Sequence, residues 1–297
     1  MKNPEFDDDL VLSLLREQHP DLAELDLRRV PGGWDNQMWR LGDDLAVRLP
    51  RTARAPSLLH KEWRWLPVLG PHLPLPIPVP TRIGRPSAAF SNPWAIVIWV
   101  SGEPADSTPI SHGDHAADTL ADFLRALHQA APHDAPSSPN RGVALEAVAA
   151  EFDERFHAVA DSDIPAADIR RLWDEAVAAP EWQGPPFWLH GDLHPANVVV
   201  SDGTLSGVID FGELCAGDPA TDLAAAWLIL PEGAHRRFLD AYDGADEGMI
   251  RRARGWALLR GLSLIGIGHA WDRGLPGGKP TWGRAGRATI DRVLASR

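Results

Sequence analysis

The segment Trp188-Leu189-His190-Gly191-Asp192-Leu193-His194-Pro195-Ala196-Asn197, followed by Val208-Ile209-Asp210-Phe211-Gly212, constrains this chain more than any other. Asp192 and Asn197 stand five positions apart among apolar residues, and Asp210 opens a second turn further on. Asn197 to Val200 is an apolar run, Ser201-Asp202-Gly203-Thr204 has turn composition, and Leu205 to Ile209 returns, which reads as a β-hairpin. That hairpin would place the side chains of Asn197 and Asp210 at one end of a rigid ribbon. Isolated Asp-Gly pairs are commonly plain surface turns or caps. Here several independent spacings would have to coincide by chance.

Asn and Asp are hard oxygen ligands suited to Mg²⁺. A nucleoside triphosphate brings several negative charges that such an ion neutralises while a carboxylate orients the attacking hydroxyl. Kinase-like enzymes place a catalytic Asp in a loop, an Asn five residues later on the metal, and a second metal-binding Asp at the start of a DFG-type turn. Asp192, Asn197 and Asp210 keep that order.

The His-Gly-Asp-Leu-His-Pro-x-Asn string resembles the catalytic-loop motif of the aminoglycoside phosphotransferase family, and the resemblance covers nearly the whole chain. It implies an α+β, bilobal protein-kinase-like fold, with a small mixed β-sheet N-lobe and a larger, mainly helical C-lobe. Residues 1–101 would form the nucleotide-binding lobe with a hinge at its end, and 102–297 the lobe of catalytic loop and acceptor pocket. It also implies ATP or GTP as donor, Mg²⁺ on Asn197 and Asp210, and Asp192 as the group that orients or deprotonates the acceptor hydroxyl.

Upstream, Leu10, Val11, Leu14 and Leu15 suggest a helix ending at His19-Pro20. Leu27 to Val30 has strand character. Gln37 to Leu41, Gly42-Asp43-Asp44 and Leu45 to Leu49 read as a hairpin. The intervening Pro31-Gly32-Gly33-Trp34-Asp35-Asn36 is a small-residue turn that would sit over the nucleotide, with Gly33 letting backbone amides approach phosphate and Asp35 or Asn36 adding side-chain contacts. Gly-Gly is also an ordinary turn, and the downstream motif tips the reading.

Kinases of this kind carry a Lys to the nucleotide phosphates from the next strand, held by a Glu on the following helix. This chain departs from that pattern. Its lysines are Lys2, Lys61 and Lys279, and the matching strand reads Ala46-Val47-Arg48-Leu49. Arg48 is the natural substitute, a permanently charged fork with a different reach. Glu62 is its expected partner; the alternative for Glu62 is a solvated helix charge. Pro71 to Pro80 is too proline-rich for regular helix and reads as an extended connection. It leads to a buried strand, Trp94 to Val100, whose end at Trp99, Val100 and Ser101 suits a hinge against the adenine or guanine edge. A plain strand and turn is the other reading.

The net charge is −12, and its excess lies entirely in the second part: residues 1–100 hold 12 acidic and 12 basic side chains, residues 101–297 hold 29 and 17. That argues against a nucleic-acid partner and favours a small, cationic acceptor drawn to an acidic cleft, although acidic surfaces also serve solubility. With one cysteine, Cys215, there is no internal disulfide and no zinc pattern; it reads as a packed small side chain. No apolar run spans a membrane and the acidic N-terminal stretch has no signal-peptide pattern, so a soluble cytoplasmic protein without an obligate protein partner is expected.

Most of what remains reads as helix. Leu120, Phe123, Leu124 and Leu127 form a core stripe, with His128 at its end as a structural hydrogen-bonding group. Asp218 before Pro219 reads as a helix cap. By resemblance, Asp218, Asp222 and His190 support the catalytic loop and His194 leans toward phosphate or substrate. Arg254 to Trp271 is apolar and Gly-interrupted and is followed by Gly274 to Gly286 with Pro276 and Pro280; by resemblance, C-terminal helices and loops line the acceptor pocket, with Trp256, Trp271, Asp272 and Trp282 as candidates. The acceptor stays open at this point: an aminoglycoside first, then macrolides, sugars, choline-like amines or other metabolites. A nucleotide-binding pseudokinase and a purely structural module are the readings without turnover.

Overall fold

Asp7 accepts a hydrogen bond from the Leu10 amide at 2.9 Å and so caps α1 (Asp8–Gln18), whose acidic first turn and basic last turn complement the helix dipole. The computed structural model describes residues 5–159 and 164–296; residues 1–4, which include Lys2 and the start of the acidic N-terminal stretch, lie outside them. By contacts the chain divides into two compact units. The first is Met1–His72, Pro76–Ser101 and Val208–Gly212; the second is Leu73–Leu75, Gly102–Gly207 and Glu213–Arg297. The chain thus leaves each unit and returns, and Asp210 belongs to the first.

The first unit is a five-stranded sheet in the order β1-β2-β3-β5-β4, antiparallel at every pairing, made of β1 (Leu27–Val30), β2 (Asn36–Leu41), β3 (Leu45–Pro50), β4 (Pro80–Gly84) and β5 (Trp94–Ile98). One face buries Trp39, Leu41, Val47, Leu49, Trp94 and Ile96 against Val11, Leu14 and Leu15 of α1. Strand side chains alternate between faces. Ala46 and Arg48 therefore point the other way, where Ala46, Ala95 and Val97 meet Leu59 of α2 (Ala55–Leu69). Leu59, Glu62 and Leu66 repeat at helical spacing, so a carboxylate sits in the buried stripe of α2.

Prolines mark the passage from α2 to β4. Helix α2 runs through Pro67, and the proline-rich connection begins with a 3₁₀ turn, Gly70–His72, and ends in β4 rather than staying irregular. Pro80 is tolerated because β4 is the edge strand and Pro80 is its first residue.

In the second unit, β6 (Glu103–Pro104) pairs with β8 (Val198–Ser201), which neighbours β9 (Thr204–Val208). Asp202 and Gly203 join β8 to β9 with φ of 50° and 75°, the backbone of a two-residue hairpin turn. A second small pairing joins β7 (Phe187–Leu189) to β10 (Cys215–Gly217), with Cys215 opposite Leu189 and buried.

The helices are α3 (Gly113–Leu127), α4 (Ala149–Ala158), α5 (Ala166–Val177), α6 (Ala220–Leu223), α7 (Ala225–Leu228), α8 (Ala234–Tyr242), α9 (Glu247–Asp272) and α10 (Trp282–Ala295). Leu120, Phe123, Leu124 and Leu127 are all buried. Helix α9 is about 39 Å long and packs against α4, α5, α6, α7 and α10. It meets α10 through facing glycines: a Cβ on Gly268 would fall 2.4 Å from the Gly283 Cα, and one on Gly286 2.5 Å from the Gly261 carbonyl oxygen. Gly283 and Gly286 thus lie inside α10, where the missing side chain lets the two helices touch. Among the described residues, no helix is long and apolar enough to cross a membrane.

Candidate active site

In the first unit the chemistry gathers around Arg48. Its Nη1 donates to Glu62 Oε2 at 2.7 Å, and both side chains are almost wholly removed from solvent. Strand alternation and the helical stripe dictate the meeting, since Arg48 faces α2 and Glu62 faces the sheet. Burial pushes the Glu62 carboxyl up, the Arg48 charge pulls it back, and the Asp210 carboxylate adds to the rise. Arg48 Nε and Glu62 Oε1 have no partner among the described residues, so the pair is not saturated. Asp210 is exposed and has φ 63°, a left-handed backbone rare for a residue with a side chain.

The small-residue turn is built as expected but uses its acid differently. Gly32 and Gly33 have φ of 96° and 77°, and a Cβ on Gly33 would lie 2.2 Å from the Asn36 carbonyl oxygen. Asp35 is occupied: Thr52 Oγ1 donates to it at 2.5 Å and Arg54 at 2.7 to 3.1 Å through two nitrogens. Burial works against its charge, but Arg54 and Thr52 outweigh that and hold it below the usual carboxylate range. Asp35 thus braces the turn through Thr52 and Arg54. Asn36 opens β2 opposite Pro50 and is buried. At the end of β5, the Trp99 N–H donates to the Asp44 carbonyl at 2.7 Å and Arg40 lies over the Trp99 ring. Trp99 is thus tied to the β2–β3 loop and its N–H is not available to a base edge, while Val100 is buried beside it.

In the second unit the catalytic-loop candidates are held by one buried carboxylate. Asp222 accepts from the His190 amide at 2.6 Å and the Gly191 amide at 2.9 Å, and His128 Nε2 lies 3.4 Å from it. Tyr242 Oη in turn is 2.8 Å from His128 Nδ1. His190 Nδ1 accepts from the Asp192 amide, so this imidazole shapes the loop. Gly191 has φ 80°, and a Cβ there would fall 2.6 Å from the Glu213 carbonyl oxygen. Asp222→Asn keeps the shape but offers one accepting oxygen where two amides need acceptors. It is expected to cost roughly 1.5–3 kcal/mol, read as a shift in denaturant midpoint; an unchanged midpoint would show that the loop holds itself.

Asp218, expected to support the same loop, points elsewhere. It accepts from the Ala220 amide at 3.0 Å, as a cap should, and its carboxylate pairs with Arg252 of α9 at 2.7 Å with both groups buried. It fastens the start of α6 to α9.

Asp192 carries three neighbours. His194 Nε2 is 3.6 Å from Oδ2, and Arg141 Nη2 and Arg260 Nη1 are each 3.6 Å from Oδ1. Burial disfavours its charge, but His194, Arg260 and Arg141 together prevail and hold Asp192 far below the usual carboxylate range. It stays ionised throughout the physiological range. His194 thus leans toward Asp192 rather than outward, because its Nδ1 accepts from the Ala196 amide and its ring packs edge-on against Trp282. Asn197 donates from Nδ2 to the Asp192 carbonyl oxygen at 2.9 Å, which leaves Oδ1 as its remaining ligand atom.

Arg141 and Arg260 were not singled out in the sequence. Arg141 lies in an irregular segment after α3, and Arg260 sits between Leu259 and Gly261 in an apolar helix, so neither carries a local signal. Of the C-terminal candidates, Trp256 is wholly buried core, Trp271 and Asp272 are exposed at the end of α9, and only Trp282 touches a catalytic-loop residue. Among the described residues no three His, Cys, Asp or Glu side chains cluster as a preformed metal cage.

The sequence profile of the phosphotransferase enzyme family (APH) matches residues 26–262. The chain is 31% identical over 175 residues to a homoserine kinase of Methylobacterium radiotolerans, covering 57% of this chain and 53% of that protein. It is 26% identical over 145 residues to an aminoglycoside 3'-phosphotransferase of Escherichia coli, covering 47% and 53%. The chain spans about half the length of the curated relatives it matches. The solved GDP complex of wild-type aminoglycoside 2'-phosphotransferase-IIIa shares the fold, with a TM-score of 0.69 and 21% identity over 98% of this chain and 99% of that one.

Proposed function

The chain belongs to the phosphotransferase enzyme family, and from that premise we propose that it is a small-molecule kinase, transferring the γ-phosphoryl of ATP or GTP to an acceptor hydroxyl. The observation that carries this is Asp192, an ionised carboxylate on a loop whose amides are fixed by Asp222, with Asn197 bonded to its own backbone. In this reading Asp192 orients the hydroxyl and takes its proton, the hydroxyl oxygen bonds to the γ-phosphorus, and the bond to the nucleoside diphosphate breaks with its electron pair on the leaving group.

Arg48, held by Glu62, steadies the donor phosphates, with backbone amides of the Gly33 turn over them and the backbone near Val100 and Ser101 at the base edge. Asn197 Oδ1 and the Asp210 carboxylate are hard oxygen donors that fit Mg²⁺; bound there, the ion would neutralise phosphate charge. The domain roles follow: residues 1–101 with the segment around Asp210 serve the nucleotide, and the remainder of 102–297 serves the acceptor.

An aminoglycoside is the acceptor that family resemblance brings first, and the acidic surplus of residues 101–297 supports a cationic one. The homoserine kinase relative shows that the family is not confined to antibiotics by name. A second reading of the acceptor is favoured by the arginines on Asp192 and is developed below. A pseudokinase would have no need of Asp192, Asn197 and Asp210 together.

The test is phosphate-ester formation from Mg-ATP and Mg-GTP across aminoglycosides, macrolides and small amino or hydroxy metabolites, alongside thermal shifts with each Mg-nucleotide. Product from any acceptor is the expected result. No product and no nucleotide-induced shift would overturn the assignment.

A further inference from the structure

Phosphoryl transfer needs one carboxylate at the acceptor hydroxyl, yet this carboxylate has two guanidiniums on a single oxygen. Arg141 and Arg260 each stand 3.6 Å from Asp192 Oδ1, with side chains only 12% and 14% exposed. Charge-assisted N–H···O bonds close at roughly 2.7–2.9 Å, so neither fork is closed on Asp192. Arg141 Nη1 donates to the Asn140 carbonyl at 2.8 Å and Arg260 Nη2 to the Gly191 carbonyl at 3.3 Å. Arg141 Nε is buried with no partner among the described residues.

The acids acting on Arg260 are Asp192, Glu151 and Glu213, yet burial and the like charge of Arg141 outweigh them and pull it down to about 10. Both cations bear on the one Asp192 oxygen at 3.6 Å and repel each other, and the weaker pull of Glu151 and Glu213 does not offset burial, so the pair is short of a close negative partner. A role confined to neutralising Asp192 would need one of them.

We propose that Arg141 and Arg260 anchor the acceptor, and that the acceptor is a hydroxy acid whose carboxylate, or a comparable anionic group, lies roughly two to four bonds from the hydroxyl that is phosphorylated. The spacing follows because one end must reach the guanidinium forks while the other reaches Asp192. This rests on the phosphotransferase reading and names its substrate class. The hydroxyl proton passes to Asp192 and then to solvent, and the products are a phosphate monoester that keeps the acceptor's acid group and a nucleoside diphosphate. The acidic surplus of residues 101–297 acts at longer range and is screened within about 8–10 Å. Guanidiniums in contact with the site select what docks.

The test uses the whole protein without nucleotide, titrated calorimetrically with glycerate and 4-hydroxybutyrate, and with glycerol and ethanolamine as neutral and cationic counterparts. The hydroxy acids are expected to bind about tenfold or more tightly than the other two. Arg141→Gln and Arg260→Gln should each abolish that preference while leaving Mg-ADP affinity unchanged; Arg141 lies outside regular structure, so its variant guards against a folding loss in α9. Equal binding of all four compounds, or preference for ethanolamine, overturns the proposal. So does a variant that weakens Mg-ADP and spares the hydroxy acids, since the pair would then belong to the donor phosphates. Turnover is read separately. Hydroxy-acid binding with no phosphate ester from any acceptor would sink the kinase reading alone, whereas phosphorylation of a cationic acceptor without hydroxy-acid binding would sink the anionic one alone.

Discussion

Asp192→Asn is expected to lower phosphoryl transfer by about 10²–10⁴-fold while leaving Mg-nucleotide binding in place. The amide keeps the shape and the loop hydrogen bonds made by the Asp192 backbone N–H and carbonyl, but cannot take a proton. Steady-state kinetics beside nucleotide titration check it, and a variant with more than about a tenth of wild-type kcat would remove Asp192 from the reaction.

The same exchange has a signature in acid. The folded-state pKa of Asp192 lies below its unfolded value, so the ionised group stabilises the fold above about pH 4 and that contribution fades only as pH falls through the folded value. The stability gap between wild type and variant should therefore be the same at pH 7 and pH 5, on the order of the unfolded pKa or above. A gap that closes at mildly acidic pH would mean that burial, which opposes the charge, outweighs His194, Arg260 and Arg141.

Glu62→Leu is expected to be the most destabilising single change, costing about 3–5 kcal/mol, because it leaves Arg48 buried with its charge uncompensated. For a unit of about a hundred residues that is roughly 12–40 °C in melting temperature. Adding Arg48→Met should restore most of the stability, since an apolar pair of similar volume replaces a desolvated ion pair. It should not restore nucleotide affinity. If Glu62→Leu alone melts within about 2 °C of wild type, the pair is solvated in solution and the buried geometry is wrong. If the double variant binds Mg-ATP normally, Arg48 does not serve the phosphates.

The legible parts of this protein are those with local grammar. The kinase pattern of a strand cation held by a helix carboxylate pointed to Arg48 and Glu62, and strand alternation with the helical stripe through Leu59, Glu62 and Leu66 is what brings them together. Turn chemistry at Asp202-Gly203 marked the hairpin that follows Asn197. What escaped depends on partners remote in sequence. Arg260 reaches Gly191 and Asp192 from 68 or more positions away, inside a helix that reads as plain core. Thr52 and Arg54, which hold Asp35, lie on the far side of a hairpin and leave no mark on its own neighbours in sequence. The role of Gly283 and Gly286 was likewise not local: there the missing side chain permits two helices to touch.

The first unit is completed by Val208–Gly212, more than a hundred residues after its main part ends at Ser101. On a ribosome, that delay is roughly 5–20 s of synthesis, during which the sheet and its two helices exist without the segment that carries Asp210. The nascent sheet must therefore persist as an unfinished body while the hairpin β8–β9 is made, and the first unit becomes whole only when translation has passed Gly212.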